Sequence, residues 1–165
     1  MFENKVAYIT GGTKGIGFGI AKILLQNGIN VAITGRKKAD VDHAVSQLSP
    51  DSSKVLGIVS DVRNFEEEVQ AVSAIKNHFG RLDYVIANAG LGVFKSVDEL
   101  SVEDWNDMIG TNLSGLFYTL KASMEELKKS EGYFISISSL AGTNFFENGS
   151  GYNASKFGAV GFTQA

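Results

Sequence analysis

Cysteine is absent from this 165-residue chain, and proline and tryptophan occur once each. Without cysteine there can be no disulfide and no thiolate metal site. Only two histidines are present, His43 and His78; they lie far apart on helices expected at the surface, which gives a metal centre or a histidine base little to build on. A basic excess is missing as well. Fifteen Lys and Arg against eighteen Asp and Glu leave a formal net charge of -3 with no long run of one sign, so nucleic acid and anionic membranes are poor partners. No apolar run is long enough to span a bilayer, and the first strand starts almost at once, leaving no room for a signal peptide; the expected location is cytoplasmic. Repeats and low-complexity segments are also lacking. A 44% hydrophobic and 20% charged composition then suits one globular domain, residues 1–165, with a substantial core.

Glycine, by contrast, is abundant and concentrated near the N-terminus. Val6, Ala7, Tyr8 and Ile9 form an apolar run of the kind buried in a parallel sheet, and Ile16, Ile20, Ile23 and Leu24 recur at helical spacing up to a stop at Asn27-Gly28. Between them Gly11, Gly15 and Gly17 remove side chains where the backbone turns, nears a ligand and packs helix on strand. A helix starting there presents unpaired N–H groups and a positive dipole end, which suits a pyrophosphate.

The remaining chain repeats the strand-then-helix order. Strands are expected at Val31–Thr34, Lys54–Val59, Asp83–Ala87 and Tyr133–Ser138, with helices over Ala39–Leu48, around Phe65–Phe79, from Ser101 onward, and from Gly151-Tyr152 to the end. Pro50 is expected to end the second helix. Phe65, Val69, Val72 and Phe79 stripe the third, and one long fourth helix is expected to bury Trp105 and the methionines, with Ser101 and Asp104 as a capping pair. The alternation predicts an α/β fold, a doubly wound parallel sheet of Rossmann type with helices on both faces.

Several residues fall where such sheets collect ligands. Arg36, Lys37 and Lys38 follow the second strand, where a cation meets a 2′-phosphate and an acid would meet ribose hydroxyls. Asp61, after the third strand, either caps the next helix or accepts a bond from a bound base. Asn88-Ala89-Gly90 forms a second small-residue turn, Ser139 follows the fifth strand, and Asn112 is a polar side chain in an apolar helix that needs a partner. Tyr152 and Lys156, four apart, share a helix face, and an ammonium beside a phenol favours the phenolate, giving an acid–base group opposite a hydride donor.

Thr10-Gly11-Gly12-Thr13-Lys14-Gly15-Ile16-Gly17, Asn88-Ala89-Gly90, Asn112, Ser139 and Tyr152-Asn153-Ala154-Ser155-Lys156 together resemble the short-chain dehydrogenase/reductase family, in order over the whole chain. The resemblance implies that Tyr152 is the general acid/base, that Ser139 orients the substrate carbonyl or hydroxyl, that Lys156 binds the nicotinamide ribose and assists Tyr152, and that Asn112 holds a relay water behind Lys156. It further implies that Gly11, Thr13, Lys14, Gly15, Ile16 and Gly17 hold the cofactor, that Asp61 and Val62 touch the adenine, and that Asn88 braces the strands while the turn it opens with Ala89 and Gly90 borders the cofactor. Lys14 and Arg36, with no acid at Gly35, resemble the members that prefer NADP(H) over NAD. Family members continue past the Tyr-Lys helix with further strands and a substrate loop, so the C-terminal strands of the fold are expected to be lacking here. The implied function is an NADP(H)-dependent oxidoreductase acting on a small carbonyl/alcohol pair, in a homo-oligomer (dimer or tetramer) formed through the helices carrying Asn112 and Tyr152. A non-catalytic dinucleotide-binding module or inactive fragment, and a lyase or epimerase on the same fold, are the alternatives.

Overall fold

The computed structural model describes residues 4–49, 51 and 53–165. Strands β1 (Val6–Ile9), β2 (Asn30–Gly35), β3 (Val55–Val59), β4 (Tyr84–Ala87) and β5 (Tyr133–Ser136) pair in parallel in the order β3-β2-β1-β4-β5. Helices α1 (Gly15–Gln26), α2 (Lys38–Leu48), α3 (Phe65–Phe79), α4 (Val102–Ile109), α5 (Gly115–Ser130) and α6 (Ser150–Gln164) make the connections and close the chain. Helix α2 ends at Leu48; Pro50, expected as its terminator, lies outside the described residues.

The alternation of side chains in β1 separates two cores. Val6 and Tyr8 join Val85 and Leu82 beneath α3 and α5, whereas Ala7 and Ile9 join Val31, Ile33 and Ile86 beneath α1 and α2. Helix α6 docks beside α5 through Ala159, which packs with Leu116 and Ala87. The chain moves outward from β1 to β2 and β3 and then returns to β4, so the strand order reverses between β1 and β4, the position where open α/β sheets bind ligands.

Three expected helix faces are partly rotated. In α1, Ile20 and Leu24 pack against the core as expected, but Ile16 and Ile23 are 66% and 60% exposed, and the fully covered residues are Gly17 and Ala21, where the helix comes closest to the strand ends. The long helix after Ser101 is broken: a π-helical segment, Gly110–Ser114, separates α4 from α5, and its extra residue turns the apolar stripe by roughly 100°. Met108 is fully buried, whereas Trp105 and Met124, expected in the core, stay 40% and 37% exposed; Met124 follows the break, while Trp105 lies before it on α4. Ser101 does cap α4 by accepting a bond from the Asp104 N–H at 3.0 Å, but the Asp104 carboxylate turns to Lys95.

The third rotation is in α3, where Val69 is exposed and Glu68 is fully buried. The Glu68 carboxyl accepts from Tyr8 Oη at 3.0 Å and Ser60 Oγ at 2.8 Å, and lies 2.9 Å from Thr119 Oγ1. Thr119 has one hydrogen for two acceptors, Glu68 and the Gly115 carbonyl 2.8 Å away. Burial raises the Glu68 pKa, only partly opposed by the hydrogen bonds from Ser60, Thr119 and Tyr8, and burial likewise keeps the Tyr8 phenol protonated.

A carboxyl whose pKa is higher folded than unfolded contributes stability below the unfolded value and loses it as pH rises through the folded value. Glu68→Gln should therefore match the parent in urea unfolding at about pH 5 and exceed it at about pH 9, whereas Glu68→Ala should lose about 3 kcal/mol at about pH 5 and less at about pH 9, where the parent has given up its own share. Parallel parent and Gln curves across that range would show that Glu68 ionises without penalty.

Candidate active site

Where β1 leaves the sheet, the backbone turns through Gly11 and Gly15, whose φ angles of +63° and +58° lie in the left-handed region that favours glycine. A Cβ at Gly15 would meet nothing within 4 Å, so this glycine opens onto free space. Lys14 then starts α1 in an extended conformation, with no side chain capping the helix and no acid in its first turn. The first N–H groups of α1 are thus left for an external acceptor.

A cleft of about 470 Å³ lies beside them, lined from the turn by Gly11, Thr13, Lys14, Gly15 and Ile16, from β3 by Ser60, Asp61 and Val62, and from β4 by Asn88, Ala89 and Gly90. Gly17 does not line it. A Cβ there would lie 2.5 Å from Asn88 Nδ2 and 2.7 Å from the Gly11 carbonyl, so Gly17 makes room for the Asn88 amide beneath the turn. That amide donates to the carbonyls of Thr10 (2.9 Å) and Gly11 (3.1 Å), while the Thr10 hydroxyl accepts from the Asn88 and Ala89 N–H groups at 3.0 and 3.1 Å. Two side chains cross-link the carboxyl ends of β1 and β4.

The cations after β2 divide. Arg36 and Lys37 line the cleft, but Lys38 points away to Asp42 at 2.7 Å. Gly35 has no room for an acid: a Cβ would sit 2.6 Å from Thr13 Cγ2. Asp40, at the start of α2, adds a carboxylate to the same rim. Asp61 does not cap α3. Its carboxylate takes three bonds from the Arg63 guanidinium and one from the Arg63 N–H, and the Arg63 side chain, helped weakly by Arg36, holds its pKa below the usual range. The cap is Asn64, whose Oδ1 accepts from the N–H groups of Glu66 and Glu67, because Asp61 is already folded back on Arg63.

At the other end of the cleft α6 brings up the phenol and the amine. Lys156 is 6% exposed; its Nζ donates to the Ile137 carbonyl beyond β5 at 2.9 Å and lies 3.7 Å from where a Gly90 Cβ would be. Burial lowers its pKa. The same Nζ is 5.9 Å from the centroid of the Tyr152 ring, one turn earlier. Ser139 is half-buried and its Oγ accepts from the Ala141 N–H at 3.1 Å, which leaves the hydroxyl hydrogen free to donate. Asn112 sits in the π segment with its carboxamide committed: Oδ1 accepts from the Leu91 N–H at 2.9 Å, and Nδ2 donates to the Leu91 carbonyl at 2.8 Å and to Ser155 Oγ at 2.9 Å.

The chain from residue 5 to residue 165 matches the short chain dehydrogenase family. An uncharacterized oxidoreductase of Staphylococcus aureus (strain MW2) is 35% identical over 165 residues, covering 99% of this chain and 71% of that one. The chain belongs to the short-chain dehydrogenases. Among solved structures, an alcohol dehydrogenase from the archaeon Thermococcus sibiricus, complexed with 5-hydroxy-NADP, superposes with a TM-score of 0.92 at 34% identity, over 97% of this chain and 68% of that one. A short chain dehydrogenase/reductase from Burkholderia phymatum in complex with NAD gives a TM-score of 0.94 at 25% identity, over 99% and 59% of the two chains.

In this short-chain dehydrogenase several supporting groups escaped sequence reasoning. Thr10 read as the end of a strand, yet its hydroxyl holds the second turn. Ser155, fully buried, accepts from Asn112 and donates to the Tyr152 carbonyl at 2.8 Å, linking π segment and α6. Its place three residues after Tyr152, on the same helix face, was the available signal. Arg63, which also reaches Asp107 of α4 at 2.6 Å, gave none.

Replacing Thr10 by valine keeps the shape and strands two backbone N–H groups without an acceptor. Thr10→Val should cost about 2–4 kcal/mol in urea unfolding, and a loss under about 0.5 kcal/mol would show that water replaces the hydroxyl.

Proposed function

We propose that this short-chain dehydrogenase is the cofactor-binding and acid–base portion of an NADP(H)-dependent oxidoreductase that interconverts a carbonyl and an alcohol. The observation that carries the reading is that Lys156 Nζ lies 3.7 Å from where a Gly90 Cβ would be, beside the far end of the cleft that begins at the uncapped start of α1, with the Tyr152 ring 5.9 Å from that nitrogen. The residues fit a dinucleotide. Unpaired N–H groups and open space at Gly15 suit a diphosphate, the buried Lys156 has one protein acceptor for three N–H donors and suits a ribose diol, and Arg36, Lys37 and Lys14 suit a 2′-phosphate.

The nicotinamide, when bound, supplies or takes the hydride. Tyr152 gives its phenolic proton to the carbonyl oxygen in reduction and takes it back in oxidation. Ser139 donates to the same oxygen and so holds it in place, and Lys156 stabilises the phenolate left behind. With both Nδ2 hydrogens given to Leu91 and Ser155, the Asn112 side chain has only its Oδ1 left to take part in a relay. NADP is favoured over NAD because Arg36 and Lys37 face the cleft and Gly35 has no room for an acid. Phe117 and Phe157, exposed on α5 and α6, support association of copies through these helices.

NADPH should bind about tenfold or more tighter than NADH in a fluorescence titration, and Arg36→Ala should close most of that gap. Equal affinities in the parent would remove the 2′-phosphate assignment. In the full-length protein Tyr152→Phe should lower kcat at least about a hundredfold with cofactor affinity unchanged; an undiminished rate would exclude Tyr152 as the proton donor.

A further inference from the structure

Two phenyl rings beside Tyr152 take no part in proton transfer or cofactor binding. Phe94, on the connector after β4, meets the Tyr152 ring edge-on at 5.4 Å between centroids, and tilts against Phe146 of the β5–α6 loop at 5.7 Å. Phe94 is 57% and Phe146 46% exposed. These rings are held rather than loose. A Cβ at Gly92 would lie 2.9 Å from the Phe94 ring and 3.2 Å from Tyr152, and one at Gly149 would lie 2.6 Å from the Phe146 ring, so each phenyl occupies space left by a glycine. The Asn153 amide ties the loop to α6 by donating to the carbonyls of Ala141 and Asn144 at 2.9 and 2.8 Å, and Asn112 ties the connector through Leu91.

The chain neighbours of the two rings offer them no free positive charge. Lys95, next to Phe94, is turned to Asp104 at 2.8 Å, and Glu147, next to Phe146, is exposed and repels an anion. A hydroxylated or charged substituent against these phenyls would lose its water without gaining a partner. A flat apolar group covers them and gains edge-to-face contacts.

Resting on the oxidoreductase reading above, we propose that Phe94 and Phe146 form the specificity wall of the site, and that the carbonyl carbon of the substrate carries an aryl or similarly flat apolar group. The wall begins at the Tyr152 ring, so its occupant is the molecule that exchanges a proton with Tyr152.

The test uses acetophenone and hydroxyacetone as probes. In the full-length protein with NADPH, kcat/KM for acetophenone should exceed that for hydroxyacetone at least about twentyfold; Phe94→Ala and Phe146→Ala should each remove about tenfold of it through KM, with NADPH affinity within about twofold of the parent. Phe146→Leu, which keeps bulk and loses the ring, should fall between. A preference for hydroxyacetone, or variants that leave acetophenone unchanged, would overturn the wall. Saturation-transfer NMR with acetophenone separates this proposal from the reading beneath it. Binding lost in Phe94→Ala but kept in Tyr152→Phe supports the wall even if no turnover is found, which would reject the oxidoreductase alone. No acetophenone binding beside intact NADPH binding rejects the wall alone. A dimer that dissociates in Phe94→Ala also overturns it, because a second copy then covers the rings.

Discussion

The Asn88 amide lies where β1, β4 and α1 meet, and the geometry of the site depends on it. It occupies the space that a side chain at Gly17 would fill, donates to the carbonyls of Thr10 and Gly11, and its own N–H is held by the Thr10 hydroxyl. At a switch point the connections leave neighbouring strands in opposite directions, and the peptide groups just past the ladder need other partners. Supplying those partners from one amide and one hydroxyl keeps the two turns at a fixed separation. The uncapped helix start and the Ala89-Gly90 backbone then face one cleft.

A second set of bonds fixes the chemical end. Ser155 links Asn112 to the Tyr152 carbonyl, Asn112 holds Leu91, and Lys156 reaches the Ile137 carbonyl. The π segment makes this possible because its extra residue brings Asn112 inward at a depth a regular helix would not give it. Tyr152 and Lys156, one turn apart on α6, are thereby tied to the π segment, the connector after β4 and the end of β5. The buried Glu68 plays the equivalent part under β1, where one carboxyl accepts from hydroxyls of strand, turn and helix.

Much of the architecture was legible because it is written at short range. The apolar runs at Val6–Ile9 and Val31–Thr34, the stop at Asn27-Gly28 and the Gly11–Gly17 turn each depend on neighbours within a few residues, and the expected parallel sheet is the one observed. Side-chain facing was less legible. Met124, Val69 and Ile23 were expected inward from a 3.6-residue period, but a π break, a buried carboxyl and a glycine-faced helix each rotated the buried stripe. Asp61 was expected either as a cap or as a base acceptor; Arg63, only two residues on, occupies its carboxylate instead, and Asp107 of α4, 44 residues away, holds that guanidinium from the other side.

The amino-acid order alone therefore determined the alternation of strand and helix, the phosphate-type turn, and the four-residue spacing that puts Tyr152 and Lys156 on one face, since each follows from local backbone geometry and periodicity. Only the folded chain decided which polar groups are consumed and which remain available. The Asn112 Nδ2 hydrogens are used up by Leu91 and Ser155, Lys38 by Asp42 and Asp61 by Arg63, whereas Arg36 and Lys37 are left lining the cleft. Donors and acceptors far apart in sequence compete for one another, and that competition has no outcome until packing brings them within reach.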